Sequence, residues 1–284
     1  MSDIEPLRLS FEFFPPKTEK GREKLANVHK ELAVCEPEFF SVTYGAGGST
    51  RDNTIGSVNA IKTAGSQVAP HLSFGGDDKE SMIALLNEYK DMGIDRLVAL
   101  RGDMPSGMGG SYQMVYANQL VEFIRKHTGD HFHLEVAAYP EIHPEAQSFD
   151  SDVDFLKQKF DAGANSAITQ YFYNPDAYFY FIESCMEAGI DKPIYPGIMP
   201  ITNYQSLSRF STNCGAEIPR WMRKRLEAFG DDTDSIKAFG LDIVSELCET
   251  LLENDAPGLH FYTMNNAQPT TTLIENLGLI PGKD

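Results

Sequence analysis

Leu7-Arg8-Leu9-Ser10-Phe11-Glu12-Phe13-Phe14-Pro15-Pro16-Lys17-Thr18 is the stretch on which the reading of the fold turns. Alternation over its first seven residues predicts a strand. Leu7, Leu9, Phe11 and Phe13 take one face, and Arg8, Ser10 and Glu12 the other. A doubly wound open sheet normally follows its first strand with a phosphate-binding glycine turn. Here the connection is Phe-Phe-Pro-Pro-Lys-Thr, which argues for a different closure of the sheet. Glu12 ends the strand beside aromatic residues, a setting in which a carboxyl can hold a proton near neutrality, and this stretch alone equally allows a strand-end glutamate turned to solvent or paired with a lysine.

Outward from this strand, extended and helical patterns alternate along all 284 residues. Seven further strands are predicted at Phe39–Tyr44, Gln67–Phe74, Arg96–Arg101, Leu134–Tyr139, Ser166–Phe172, Pro193–Ile198 and Leu259–Thr263. Amphipathic helices are predicted at Thr18–Val34, Thr54–Thr63, Lys79–Met92, Tyr112–His127, Asp152–Ala162 and Pro175–Ala188. The seventh connection is longer, with helical stretches at Ser206–Phe210, Pro219–Ala228 and Thr233–Glu253, and a last helix covers Thr270–Leu277. Gly65, Gly93, Gly163 and Gly189 stand just before strands, where glycine supplies the left-handed turn that stops a helix. Eight β-α units with apolar strands predict a (β/α)8 TIM barrel, α/β in class, as one domain over residues 1–284.

Composition narrows the function. With 24 basic and 41 acidic residues the net charge is −17, which argues against a nucleic-acid backbone or an anionic membrane as partner. Cys35, Cys185, Cys214 and Cys248 are far apart without a C-x-x-C pair; Cys35, Cys185 and Cys248 fall in helix-like stretches and are expected as buried free thiols. No apolar run reaches membrane-spanning length, and the start lacks a basic, apolar leader, so the cytoplasm is expected. Asp231-Asp232-Thr233-Asp234 lacks the glycine and terminal glutamate of a calcium loop and is better explained as a helix N-cap. No metal site is expected. His131 and His133 precede the fifth strand, at the end of the barrel opposite an active site.

Barrel enzymes build their sites at the C-terminal strand ends. Unusual polar residues stand there: Glu12, Thr43 with Tyr44, His71, Arg101-Gly102-Asp103, Tyr139-Pro140-Glu141, Gln170, and Tyr262 with Asn265. Gly45–Gly48 and Gly107–Gly110 are expected as rim loops, since neither completes a nucleotide-binding fingerprint. On the fifth helix Asp152, Phe155 and Lys159 share a face beside an apolar stripe of Val153, Leu156 and Phe160. That face could be plain solvated surface or hold the polar part of a long ligand crossing the rim from Arg101 and His143.

FEFFPP around Glu12, SVTYGAGG from Ser41, ALRGD to Asp103, AAYPEIHPEA from Ala137, DAGANSAITQYFY from Asp161, PGIMPI from Pro196 and PGLHFYTMN from Pro257 follow in order along nearly the whole chain. Together they resemble the methylenetetrahydrofolate reductases, in the length of the bacterial single-domain form. The resemblance implies a flavoprotein oxidoreductase of one-carbon metabolism and methionine biosynthesis. FAD takes hydride from a reduced nicotinamide nucleotide, with NADH favoured over NADPH. The nucleotide leaves, folate enters, and flavin N5 passes hydride to 5,10-methylenetetrahydrofolate, giving 5-methyltetrahydrofolate in a ping-pong cycle. Glu12 matches the general acid and Asp103 an aspartate beside flavin and pterin. Gln170, Phe210 and Tyr262 join Glu12 and Asp103 at the substrate. Thr43, His71, Arg101, Gly102, Asp103, Tyr116, Ala117, Tyr139, His143, Ala146, Asp152 and Lys159 match FAD-binding positions. The partners implied are folate, the nucleotide and further copies of the chain in a dimer or tetramer. One departure stands out: where the family commonly reads Y-T-L-N-R, this chain has Tyr262-Thr263-Met264-Asn265-Asn266, so Asn266 lacks the arginine's charge.

Overall fold

The computed structural model describes residues 7–44, 48–74, 78–101 and 116–280. Its first strand, β1 (Arg8–Phe13), is flanked by parallel partners on both sides. From there the chain alternates through α1 (Glu19–Ala33), β2 (Phe39–Val42), α2 (Gly48–Thr63), β3 (Val68–Leu72), α3 (Lys79–Asp91) and β4 (Arg96–Ala99). It continues with α4 (Ala117–Thr128), β5 (His133–Ala138), α5 (Phe149–Asp161), β6 (Ser166–Thr169) and α6 (Pro175–Glu187). Two short strands, β7 (Ile194–Tyr195) and β8 (Gly197–Ile198), precede α7 (Tyr204–Cys214), α8 (Arg220–Phe229) and α9 (Thr233–Glu253). β9 (Gly258–Tyr262) and α10 (Ala267–Asn276) end the order.

All the strand pairs are parallel, in the order β7-β6-β5-β4-β3-β2-β1-β9-β8. The two ends of that order are two halves of one stave, interrupted at Pro196, which has no N–H to give a ladder. β7 pairs with β6 and β8 with β9, and the Pro196 carbonyl accepts the His260 N–H at 3.0 Å. The split stave therefore closes the sheet, and the (β/α)8 barrel expected from the sequence is the fold. The helix-stopping glycines behave as expected: Gly65, Gly93, Gly163 and Gly189 all have positive φ, between 70° and 114°. Asp232 caps α9 by accepting the Ser235 N–H at 3.1 Å, as the N-cap reading of that acidic run required. Cys185 and Cys248 are buried free thiols on α6 and α9. Cys35 is also buried and free but lies in the turn after α1, and Cys214 is half-buried on α7.

Two faces of β1 go to two different interiors. Phe11 and Phe13 are fully buried outward against the helical layer, with Phe13 stacked on Phe40 at 5.2 Å between ring centroids. Each contributes roughly 2–3 kcal/mol by leaving water. Arg8, Ser10 and Glu12 point into the barrel, and each meets a charge or hydrogen-bonding group from across it. At the N-terminal mouth Arg8 and Arg96 are ion-paired with Glu38 and with the fully buried Glu135. Ser166 donates to Glu135 at 2.6 Å, and Arg8 lies over the Tyr195 ring, 3.7 Å from its centroid. Phe39, Ala69, Val98 and Ile168 form a small apolar plug within the barrel. The lower barrel is thus closed by ion pairs and packing, and the C-terminal mouth is left to the site. The His131 and His133 side chains lie toward the lower mouth, bonded to the Ile94 carbonyl at 3.0 Å and Ser166 at 2.7 Å.

Candidate active site

A cleft of about 520 Å3 opens across the C-terminal ends of β3, β4 and β5 and the helices that follow them. His71, Arg101, Tyr116, Ala117, Tyr139, His143, Ala146, Asp152 and Lys159 line it, so nine of the residues expected around a cofactor are brought together. Gly102 and Asp103 lie outside the described residues. Thr43 does not line the cleft and Tyr44 does; the Thr43 backbone instead holds β1 to α2, its N–H donating to Phe13 and its carbonyl accepting from Thr54.

Local folding sets the cleft's polar walls. Beyond β5 the chain turns through Ile142 at φ 71°, and the following His143 N–H donates to Asp152 Oδ2 at 2.7 Å. Tyr139 and His143 meet edge to face at 4.5 Å. Glu145 N–H donates to His143 Nδ1 at 3.0 Å, which leaves Nε2 as the protonated nitrogen of the neutral ring. The face of α5 that the sequence left open between solvated surface and ligand contact borders the cleft: Asp152 is buried, Lys159 points inward, and Phe155 stays half exposed. Burial pulls the Lys159 ammonium down to about 8, against the opposing effect of Asp152, and its Nζ donates to the Ala137 carbonyl at 2.8 Å. Burial likewise raises the Asp152 carboxyl above its usual range. Glu145, within the AAYPEIHPEA run but given no role from sequence, ion-pairs with Arg101 from the β5–α5 loop. Pairing across 44 positions between two loops leaves no periodic signal.

These walls fit a long anionic dinucleotide. Arg101 and Lys159 are two cations on one cleft, and the first turn of α4, whose N–H groups lack helical partners, borders it as a third anion-favouring element. Tyr116, Tyr139 and Phe155 offer flat apolar surface to ring systems. Among the described residues no group of three or more His, Cys, Asp or Glu is arranged to hold a metal ion.

Glu12 does not itself line this cleft but lies against His71, which does. It is 8% exposed, and His71, which lines the cleft, approaches it with Nε2 3.4 Å from Oε2. His260 Nε2 lies 4.0 Å from the same oxygen, and His260 Nδ1 is 2.8 Å from Ser10 Oγ. The aromatic surroundings expected for Glu12 are corrected here. The alternation that turns Glu12 into the barrel turns Phe11 and Phe13 away from it, so imidazoles face the carboxyl. Burial lowers the basicity of His71, so it sits beside Glu12 as a neutral ring able to donate or accept.

Of the five residues expected at the substrate, Gln170, Phe210 and Tyr262 lie outside the cleft's lining, around β6, β9 and α7. Tyr262 meets His260 edge to face at 5.2 Å and donates to the Thr169 carbonyl at 2.7 Å. Gly197 makes room for it: a Cβ there would stand 2.2 Å from the Thr169 oxygen and 2.6 Å from the Tyr262 ring. Gln170 follows β6, and the next residue, Tyr171, has its hydroxyl 3.0 Å from Ser211 Oγ, one position after Phe210 on α7. Asn266 is exposed at the N-cap of α10.

The family model described as "Methylenetetrahydrofolate reductase" matches residues 3–278. A 5,10-methylenetetrahydrofolate reductase of Escherichia coli K12 is 39% identical over 277 residues, covering 97% of this chain and 92% of that one. Methylenetetrahydrofolate reductase (NADH) 1 of Arabidopsis thaliana is 37% identical over 285 residues, 95% of this chain but 48% of the longer plant protein. Among solved structures, a Clostridium thermocellum protein described as binding two copies of 5-methyl-5,6,7,8-tetrahydrofolic acid superposes with a TM-score of 0.70 at 20% identity. It covers 95% of this chain and 93% of its own. That likeness concerns the fold.

Proposed function

The chain belongs to the methylenetetrahydrofolate reductase family, and from that premise we propose that it reduces 5,10-methylenetetrahydrofolate to 5-methyltetrahydrofolate with FAD as cofactor and NADH as donor. The observation that carries the reading is the position of His71, which lines the dinucleotide-shaped cleft on one side and touches Glu12 on the other. Acid and cofactor positions thereby share one wall.

In this reading Arg101 and Lys159 hold the diphosphate, Tyr116, Tyr139 and Phe155 flank the rings, and Asp152 fixes the loop that carries His143. When bound, FAD supplies a two-electron store that accepts hydride from the nicotinamide and returns it to the methylene carbon of the folate. The protein's own part is proton placement. The methylene group bridges N5 and N10, and protonation of N10 by Glu12 lets the five-membered ring open to a 5-iminium cation that accepts hydride. His71 and His260, with Nε2 3.4 Å and 4.0 Å from the Glu12 oxygen, flank the resulting carboxylate. Gln170, which can donate and accept, suits the pterin edge, Phe210 suits the aminobenzoate or the nicotinamide, and Asp103 is the assigned counter-charge to the cation. The Arabidopsis relative is named for NADH, which supports NADH as donor. A soluble, cytoplasmic homo-oligomer completes the reading; among the described residues no helix is long and apolar enough to cross a membrane.

The test is anaerobic turnover of the purified, FAD-loaded protein with NADH and methylenetetrahydrofolate. Formation of 5-methyltetrahydrofolate in step with NADH consumption is the expected result. NADH oxidation without methyl product would overturn it.

A further inference from the structure

Parallel pairing of β1 with β9 ends at Glu12 and Tyr262, and beyond that register the two chains part. The residues after β9 nevertheless reach back to β1 three times. Thr263 Oγ1 donates to the Glu12 carbonyl at 2.6 Å. The Asn265 side chain takes both polar groups of Phe14 at once: Oδ1 accepts its N–H at 2.9 Å, and Nδ2 donates to its carbonyl at 2.8 Å. An asparagine amide carries one acceptor and one donor side by side, so it imitates the strand edge that β9 no longer provides. On the opposite side the Phe13 carbonyl accepts the Thr43 N–H at 2.9 Å. The backbone around the Glu12 side chain is thus held from both flanks.

Holding it requires an unusual turn. Asn266 N–H donates to the Thr263 carbonyl at 2.9 Å, closing a four-residue turn whose two central residues, Met264 and Asn265, both sit at φ 53°. Two positive φ values in succession match the primed hairpin-type turns, where Gly, Asn and Asp dominate. Asparagine tolerates that conformation, but methionine is strained in it. The turn is closed from inside by the Asn265 N–H on Thr263 Oγ1 at 3.2 Å. Strain retained beside a reacting group, with a side chain that grips the strand bearing that group, marks a part built for placement.

We propose that Asn265 is a positioning residue for the acid: its two-point grip on Phe14, with Thr263 on the Glu12 carbonyl, sets where the Glu12 carboxyl meets the folate N10. This rests on the assignment of Glu12 as the proton donor. An ångström of misplacement at a reacting group can cost on the order of 100-fold in rate. Asn265 touches neither cofactor nor folate in this account and acts only through β1.

Asn265→Gly is the decisive variant, because glycine accepts φ 53° and removes only the grip. In rapid-mixing experiments on the FAD-loaded protein, reduction by NADH should stay within about twofold of wild type. Reoxidation by saturating methylenetetrahydrofolate should slow by roughly 10- to 100-fold. Asn265→Asp keeps the acceptor for the Phe14 N–H and the tolerance of positive φ, and should restore part of the loss. In a Glu12→Gln background, Asn265→Gly should add no further loss. Equal slowing of both half-reactions, a change confined to folate KM, or full additivity with Glu12→Gln would overturn the proposal. Should the glycine variant fail to fold, the aspartate variant reads the same split between half-reactions. Folate reduction that survives Glu12→Gln alone would refute the acid assignment; loss in Glu12→Gln with a normal Asn265→Gly refutes only the positioning role.

Discussion

Replacing Glu12 by glutamine removes the ability to give up a proton and almost nothing else. The side chain keeps its length, and the backbone at residue 12 is held by pairing with Ser41 and Tyr262 and by the Thr263 hydroxyl. The amide fits the same place between His71 and His260, whose Nε2 atoms lie 3.4 Å and 4.0 Å from the carboxyl oxygen. What it cannot do is protonate N10. A positioned general acid typically contributes about 10²–10⁴ in rate, or about 3–5 kcal/mol of barrier. Because neither histidine shares the lost function, the full range should be lost from folate reduction. Flavin reduction by NADH needs no proton at this site and should change less than about threefold. Rapid mixing of each half-reaction, monitored by flavin absorbance, separates the two. Folate reduction within tenfold of wild type would refute the role of Glu12, and equal losses in both steps would place it in nucleotide or flavin binding instead.

Lys159→Met should weaken FAD binding by roughly 10–100-fold, the range of a buried charge-assisted contact. Because the free ammonium titrates near 8, wild-type affinity should fall as pH rises through 8, and the variant's affinity should not follow, as flavin fluorescence titrations would report. Glu135→Gln leaves Arg8 and Arg96 with Glu38 alone and should cost about 3–5 kcal/mol at pH 7 in denaturant unfolding. Against the upward pull of burial, a hydrogen bond with His133 and the charges of Arg8 and Arg96 hold Glu135 far below the usual carboxylate range, so the stability it supplies is present above about 4.5 and fades as pH falls below it. The gap between variant and wild type should narrow there. Glu141, which accepts the Glu217 N–H at 2.7 Å, shows the opposite sign. Burial raises it to about 7, so the folded state binds the extra proton and wild-type stability declines from pH 4.5 to 7. Melting temperatures of Glu141→Gln should gain on wild type across that window, and a parallel pair of curves would refute the assignment.

The barrel was legible because each unit carried its own local signals. Strand alternation placed Arg8, Ser10 and Glu12 on one face correctly, and glycines marked the helix ends. Boundaries failed where a signal was reciprocal or permissive. Helix α5 begins at Phe149 and not at Asp152, because Ser148 and Ser151 cap each other through side chain and backbone. Helix α10 begins at Ala267, ahead of Pro269, since a proline in the first turn forfeits no helical hydrogen bond. The helix expected from Tyr112 begins at Ala117, with Tyr116 extended at its N-cap; residues 112–115 lie outside the described residues. The polar filling of the lower barrel was not legible at all. Arg8, Glu38, Arg96 and Glu135 come from four separate units, and only closure of the sheet brings them into contact. Most of the cleft was foreseen by resemblance, and Glu145 and the grip of Asn265 on Phe14 emerged only from the folded chain.

The central claim is that one cleft passes electrons from a nicotinamide to a folate by way of a flavin, with Glu12 beside it against His71. The visible spectrum of the purified protein under anaerobic conditions tests it directly, recorded alone, after NADH, and after a following addition of methylenetetrahydrofolate. The account predicts flavin absorbance that bleaches with NADH and returns when folate is added. A protein that stays colourless and takes up no FAD, or one whose bleached spectrum does not recover with folate, would contradict it.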